Sequence, residues 1–130
     1  IGVLGAGIMG RGIAYASALG GYDTVLQDAS RPVLEKARTE IHEILDKGVA
    51  AGKVDAAAAE GAKQKLQIGD TLEQAAIGAD LVIEAVPEDM RLKLEIFGAL
   101  DRSAPAVAIL ATNTSSLSVT EMAGATRRIR

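Results

Sequence analysis

An α/β fold built on a doubly wound parallel sheet is what this sequence predicts, and three observations carry it. Short apolar runs (Ile1–Leu4, Thr24–Leu26, Leu66–Ile68, Leu81–Val86 and Val107–Ala111) alternate with longer segments whose apolar residues recur at helical spacing. Glycines crowd the junction between the first run and the first helix. The second run ends on Gln27 and Asp28. Such alternation closes into a parallel sheet with helices on its faces, and right-handed crossovers bring the carboxyl ends of the strands to one edge. That edge collects the glycine turn, Asp28, the Val86–Glu88 corner and the Asn113–Ser116 loop.

The opening stretch holds the most chemistry. The first strand meets Gly5, Ala6 and Gly7, after which Ile8, Met9, Ile13, Ala16 and Leu19 mark the apolar positions of a helix closed by Gly20 and Gly21. Gly5 allows a tight turn off the strand, and Gly10 lets the helix pack closely on the strands. Gly7 has no Cβ, so a diphosphate can approach the helix start, where unpaired N–H groups and the positive dipole end attract anions. Ile8 and Met9 stand at that start and join the cofactor set. Asp28 ends the second strand, where a carboxylate accepts hydrogen bonds from the adenosine ribose hydroxyls and repels a 2′-phosphate. NAD is therefore expected over NADP. No arginine directly follows Asp28; Arg31 is the nearest. A glycine turn without a ligand shares the bare spacing, but strand, turn, helix, strand and acid in this order make a Rossmann-type unit.

Further along, Ser30 can cap a helix with Pro32 in its first turn. Val33, Leu34, Ala37, Ile41, Ile44 and Leu45 supply its apolar face up to Gly48, and Asp55 caps a second helix over residues 56–65. This helical hairpin, inserted after the second strand, exceeds what one crossover needs, so it either packs on the sheet edge or serves a ligand. After the strand at Leu66–Gly69, Asp70 or Thr71 caps a brief helix over Leu72–Ile77. The run Leu81–Val86 reads as a continuous buried strand ended by Pro87. Asp89 then starts a helix with Leu92, Leu94, Ile96, Phe97 and Leu100 as its apolar side chains, stopped by Pro105. The strand at Val107–Ala111 runs into Thr112–Ser116, and a short helix over Val119–Ala123 follows.

Composition narrows the function classes. The chain has 130 residues, one domain's worth, with 48% of them apolar, so a real core can form. Aromatics are limited to Tyr15, Tyr22 and Phe97, which makes that core aliphatic. The net charge of −3, with no basic cluster except Arg127, Arg128 and Arg130, argues against nucleic-acid binding. No cysteine means no disulfide framework and no thiolate metal site, and no metal is expected. No apolar run is long enough to span a bilayer. A cytoplasmic location is the expectation.

Three stretches together, GAGIMGRGIA, DLVIEAVPEDMRLKLEIF and ILATNTSSLSVTEMA, resemble the cofactor domain of the L-3-hydroxyacyl-CoA dehydrogenases, most nearly the bacterial 3-hydroxybutyryl-CoA type. The resemblance spans essentially the whole chain in the expected order. It implies an enzyme that oxidises the 3-hydroxyl of an acyl-CoA thioester to the 3-oxo compound, with NAD accepting the hydride. By motif, Gly5, Gly7, Gly10 and Asp28 hold the adenine half of NAD, and Glu88 and Lys93 lie near the nicotinamide half. Ser115 hydrogen-bonds the substrate's 3-oxygen, and Asn113 orders the loop beside the nicotinamide. More loosely, Lys47 and Lys53 are candidates for the CoA nucleotide.

Read as residues alone, the same positions admit plainer roles. Lys93 equally suits a solvated helix surface, Glu88 a helix start, and Asn113–Ser116 a helix cap. Lys47 and Lys53 suit plain surface positions. The family's general base is a histidine oriented by a glutamate, expected beyond Arg130 together with a helical domain that makes a homodimer. His42, the single histidine, lies in the charged helix and reads as a surface residue rather than a base. Residues 1–130 are thus expected to be an incomplete NAD-binding domain. Competing readings are a cofactor domain of the 6-phosphogluconate and 3-hydroxyacid dehydrogenase type, or a noncatalytic dinucleotide-binding module.

Overall fold

Five parallel strands in the order β3-β2-β1-β4-β5 form the sheet in a computed structural model that describes residues 1–128. Along the chain these are β1 (Gly2–Leu4), β2 (Thr24–Gln27), β3 (Leu66–Gly69), β4 (Leu81–Glu84) and β5 (Ile109–Thr112). The helices are α1 (Ile8–Leu19), α2 (Arg31–Ala50), α3 (Ala56–Lys65), α4 (Leu72–Ala76), α5 (Met90–Ser103) and α6 (Val119–Gly124). Arg130, the last residue of the arginine-rich tail, lies outside the described residues together with Ile129.

The core follows from the two-residue period of a strand. Val3 and Leu4 sit side by side in β1 but join different clusters. Val3 and Leu26 meet Ala14 and Ala18 of α1, Leu34, Ile41 and Leu45 of α2, and Ala59 and Ala62 of α3. Leu4 and Val82 meet Ala75 and Ala76 of α4 and Leu100 of α5 on the opposite face. The helical hairpin α2–α3 therefore covers a sheet face rather than an edge.

Local signals account for most boundaries. Asp55, Asp89 and Ser118 cap α3, α5 and α6 by accepting N–H bonds from Ala58, Leu92 and Glu121. Thr71, not Asp70, caps α4, in a reciprocal box with Gln74. Several expectations shift. Helix α2 runs through Gly48 to Ala50, and the chain turns at Gly52, whose φ is +70°. Strand β4 ends at Glu84, two residues early, because the Glu84 carboxylate turns back onto the Val86 N–H and closes the corner. Strand β5 begins at Ile109, leaving Val107 in the preceding loop and 86% exposed.

The face of α1 is also displaced. Ile8, Met9 and Ala16 are exposed, whereas Gly10, Ala14 and Ala18 are buried against the sheet. Small residues bring the helix axis closer than leucines would. At Gly10 the limit is absolute: a Cβ there would overlap the carbonyl of Gly5, itself at φ +96° in the turn. Overpacking against backbone has no soft partner to yield. Gly10→Ala should therefore lower unfolding stability by about 3 kcal/mol in urea titration, and an unchanged midpoint would contradict this packing.

Candidate functional site

Strand β1 leads to β2 on one side of the sheet, and the chain resumes with β4 on the other side. A crevice opens where the strand order reverses, at the carboxyl ends. Backbone bonds lace that edge together. Gly5 donates to the Gln27 carbonyl (2.8 Å), Ala85 to the Leu4 carbonyl (2.7 Å) and Asn113 to the Glu84 carbonyl (2.8 Å). The glycine turn, Asp28, the Ala85–Glu88 corner and the Asn113–Ser116 loop thus share one rim.

On the β1–β2 side the glycine turn leaves an open anion seat. Gly7 is the N-cap of α1, with no side-chain cap and no acidic residue in the first turn. A Cβ at Gly7 would meet nothing within 4 Å, so the space before the helix start is free. Asp28 reaches across to this turn. Its Oδ2 accepts the Ala6 N–H at 2.9 Å and its Oδ1 accepts the Ser30 N–H at 2.9 Å. A carboxylate has about four acceptor positions, so each oxygen keeps one for a ligand hydroxyl. Arg31, the nearest guanidinium, is held by Glu35 at 2.7 Å and by Asp70 at 2.8 Å.

On the β4–β5 side the chemistry is ionic. Lys93 faces inward from α5 and is fully buried, not solvated; Leu92, read from the sequence as an apolar face residue, is exposed instead. The Lys93 Nζ donates to Glu84 Oε1 at 2.6 Å and to the Val86 carbonyl at 3.3 Å, and lies 3.2 Å from Glu88 Oε1. Glu84 is also fully buried and takes the Thr112 hydroxyl on Oε2 at 2.6 Å. Glu88 is half-exposed and accepts the hydroxyls of Thr114 (2.7 Å) and Ser116 (3.2 Å) on Oε2.

The loop after β5 alternates. Thr112, Thr114 and Ser116 turn their hydroxyls to the two glutamates, while Asn113 and Ser115 are exposed. Loop order therefore comes from Thr114 and Ser116, and Asn113 contributes its backbone N–H rather than its side chain. Sequence reading missed Glu84, Thr112, Thr114 and Ser116. The available signal was a charged residue in the middle of the apolar run LVIEAV, which is costly to bury unless paired.

Other candidates lie elsewhere. Lys47 lines a groove of about 450 Å³ between α1 and α2 with Ile8, Arg11, Tyr15 and Ile44, whereas Lys53 sits in the turn after α2, outside it. His42 is half-buried rather than on the surface, on α2. Burial, then the charges of Lys63 and Arg38, push its imidazole below the usual range, so it is neutral at pH 7. Arg127 and Arg128 both pair with Asp101, at 3.5 and 3.2 Å. Among the described residues no cluster of potential metal ligands occurs, and no helix is long and apolar enough to cross a membrane.

Residues 1–130 match the family described as 3-hydroxyacyl-CoA dehydrogenase, NAD binding domain. The chain belongs to this family. It is 39% identical over 126 residues to a probable 3-hydroxybutyryl-CoA dehydrogenase of Bacillus subtilis, covering 97% of this chain and 44% of that protein. It is 40% identical over 132 residues to the mitochondrial hydroxyacyl-coenzyme A dehydrogenase of Rattus norvegicus, covering 97% and 42%. The crystal structure of 3-hydroxybutyryl-CoA dehydrogenase from Escherichia coli superimposes with a TM-score of 0.93 at 35% identity, covering 98% of this chain and 27% of that one. The chain thus spans less than half the length of these relatives. As a 3-hydroxyacyl-CoA dehydrogenase NAD-binding domain, it has NAD as its cofactor, and its crevice lies at the topological switch point expected for a dinucleotide.

Within this domain the Thr114 hydroxyl, and next the Lys93 ammonium, hold the Glu88 carboxyl below the usual glutamate range against the opposing effect of burial. A carboxyl depressed in the folded state stabilises the fold above its unfolded pKa, and that contribution is lost as pH falls through the folded value. Thr114→Val should move the Glu88 midpoint upward and shrink this acid-side contribution. Carboxyl ¹³C NMR titration reads it directly; an unmoved midpoint would remove Thr114 from the site.

Proposed function

We propose that this chain is the cofactor-binding part of an NAD-dependent 3-hydroxyacyl-CoA dehydrogenase, acting on 3-hydroxybutyryl-CoA or a similar thioester. The observation that carries the reading is the uncapped start of α1, open at Gly7 and flanked by the anchored Asp28 carboxylate. N–H groups at Gly7, Ile8 and Met9 would hold the diphosphate. Gly5 and Gly10 set the turn that aims them. The free acceptor positions of Asp28 would take the ribose hydroxyls, and their negative charge disfavours a 2′-phosphate. Arg31 does not reverse this preference, because Glu35 and Asp70 already engage it.

At the β4–β5 rim, Glu88 would accept hydrogen bonds from the nicotinamide half, with Lys93 behind it. Ser115 would donate to the substrate's 3-oxygen, and Asn113 would stand beside the nicotinamide. NAD, when bound, supplies the hydride acceptor. The chain's residues orient the two reactants and fix the charges around them. A base tuned near neutral pH must take the hydroxyl proton. His42 does not fit, since α2 places it away from this rim. By the family resemblance, that role would fall to a histidine C-terminal to this domain, in a cytoplasmic homodimer formed through a further helical domain. Lys47 is the better of the two lysines for a CoA phosphate, because its groove begins at Ile8; Lys53 is the weaker.

Titration with NADH and NADPH tests the cofactor half. NADH should bind at least about tenfold tighter, the size of one hydrogen bond to a charged group. Asp28→Asn should weaken NADH by about tenfold and narrow the preference. Equal affinity for the two cofactors would remove Asp28 from the site.

A further inference from the structure

Glu84 has no assigned role, yet its fully buried side chain makes three polar contacts at the site's rim. Its Oε1 accepts the Lys93 ammonium and the Val86 N–H at 2.6 and 2.8 Å. Its Oε2 accepts the Thr112 hydroxyl at 2.6 Å, and its main-chain oxygen accepts the Asn113 N–H at 2.8 Å. One residue thus joins α5, the corner after β4 and the root of the Asn113–Ser116 loop. Lys93 in turn is saturated: three protons face three acceptors, on Glu84, Val86 and Glu88. No proton is left over for a ligand, so in this arrangement Lys93 acts through Glu88.

Stability does not explain such a pair. Both side chains are withdrawn from water at the end of an otherwise apolar strand, and apolar residues of similar volume often stabilise a fold as well or better. Placement does explain it. The buried carboxylate fixes the ammonium, the ammonium fixes Glu88, and Glu88 receives the Thr114 and Ser116 hydroxyls. Thr112, bonded to Glu84 on one side, accepts the Thr114 N–H at 3.2 Å on the other.

We propose that Glu84 is a positioning residue for the nicotinamide and substrate rim: through Lys93 it sets Glu88, and through Thr112 it sets the loop that carries Asn113 and Ser115. This deepens the cofactor reading above and rests on it for the binding arm of the test.

The decisive variants are Glu84→Gln, which keeps the shape and removes the charge, and Thr112→Val, which keeps the shape and removes the hydroxyl. Both leave Lys93, Glu88, Asn113 and Ser115 in place. Each is measured for NADH affinity, for thermal midpoint and for amide hydrogen exchange at Thr114–Leu117 without cofactor. Glu84→Gln is expected to bind NADH about tenfold more weakly and to exchange those amides about tenfold faster. Thr112→Val is expected to change both in the same direction by about threefold. Wild-type affinity together with wild-type loop exchange overturns the proposal even if the thermal midpoint falls, because a merely structural role predicts that pattern. Should Glu84→Gln fail to fold, Thr112→Val decides alone. Should the unmodified chain fail to bind NADH, the cofactor reading falls, while loop exchange still decides the role of Glu84.

Discussion

The contact between α1 and the glycine turn constrains everything else at the crevice. Gly10 lies so near the Gly5 carbonyl that no side chain fits between them. This approach aims the helix start at the ends of β1 and β4. Ala14 and Ala18 continue the same close seam toward Gly20. A bulkier seam would lift the helix and move its dipole away from the switch point, where a diphosphate gains most from it.

Around that seam the two halves of the rim are built by different means. The β1–β2 half is mostly backbone: N–H groups, a bare Cα and one carboxylate tied to main-chain donors. The β4–β5 half is mostly side chain: two acids, one ammonium and three hydroxyls in a connected network. A diphosphate and its adenosine ribose are common to many reactions, and backbone recognises them generically. In the proposed function the β4–β5 half would face the reacting end, which needs directional charge, and low local dielectric makes each of those bonds matter more.

Much of this was legible from residues alone, because the signals were local. Glycine spacing, caps at Asp55 and Asp89, and Asp28 at the end of β2 all act within a few residues. What escaped was tertiary. The buried side of α1 cannot be read from apolar periodicity when its contact residues are Gly10, Ala14 and Ala18, and the large apolar Ile8 and Met9 face outward. Lys93 reads as surface until Glu84, nine residues earlier on another element, is seen to neutralise it. The alternation of hydroxyl contacts along Thr112–Ser116 has a strand's period, yet which parity meets the carboxylates depends on where the two glutamates stand.

That alternation separates two duties along one short loop. Positions 112, 114 and 116 anchor, and their replacement loosens the scaffold. Positions 113 and 115 are exposed and carry none of the anchoring side-chain bonds. Side chains at positions 113 and 115 can therefore change without breaking the bonds that hold the frame beneath them, so variation there carries little penalty in foldability.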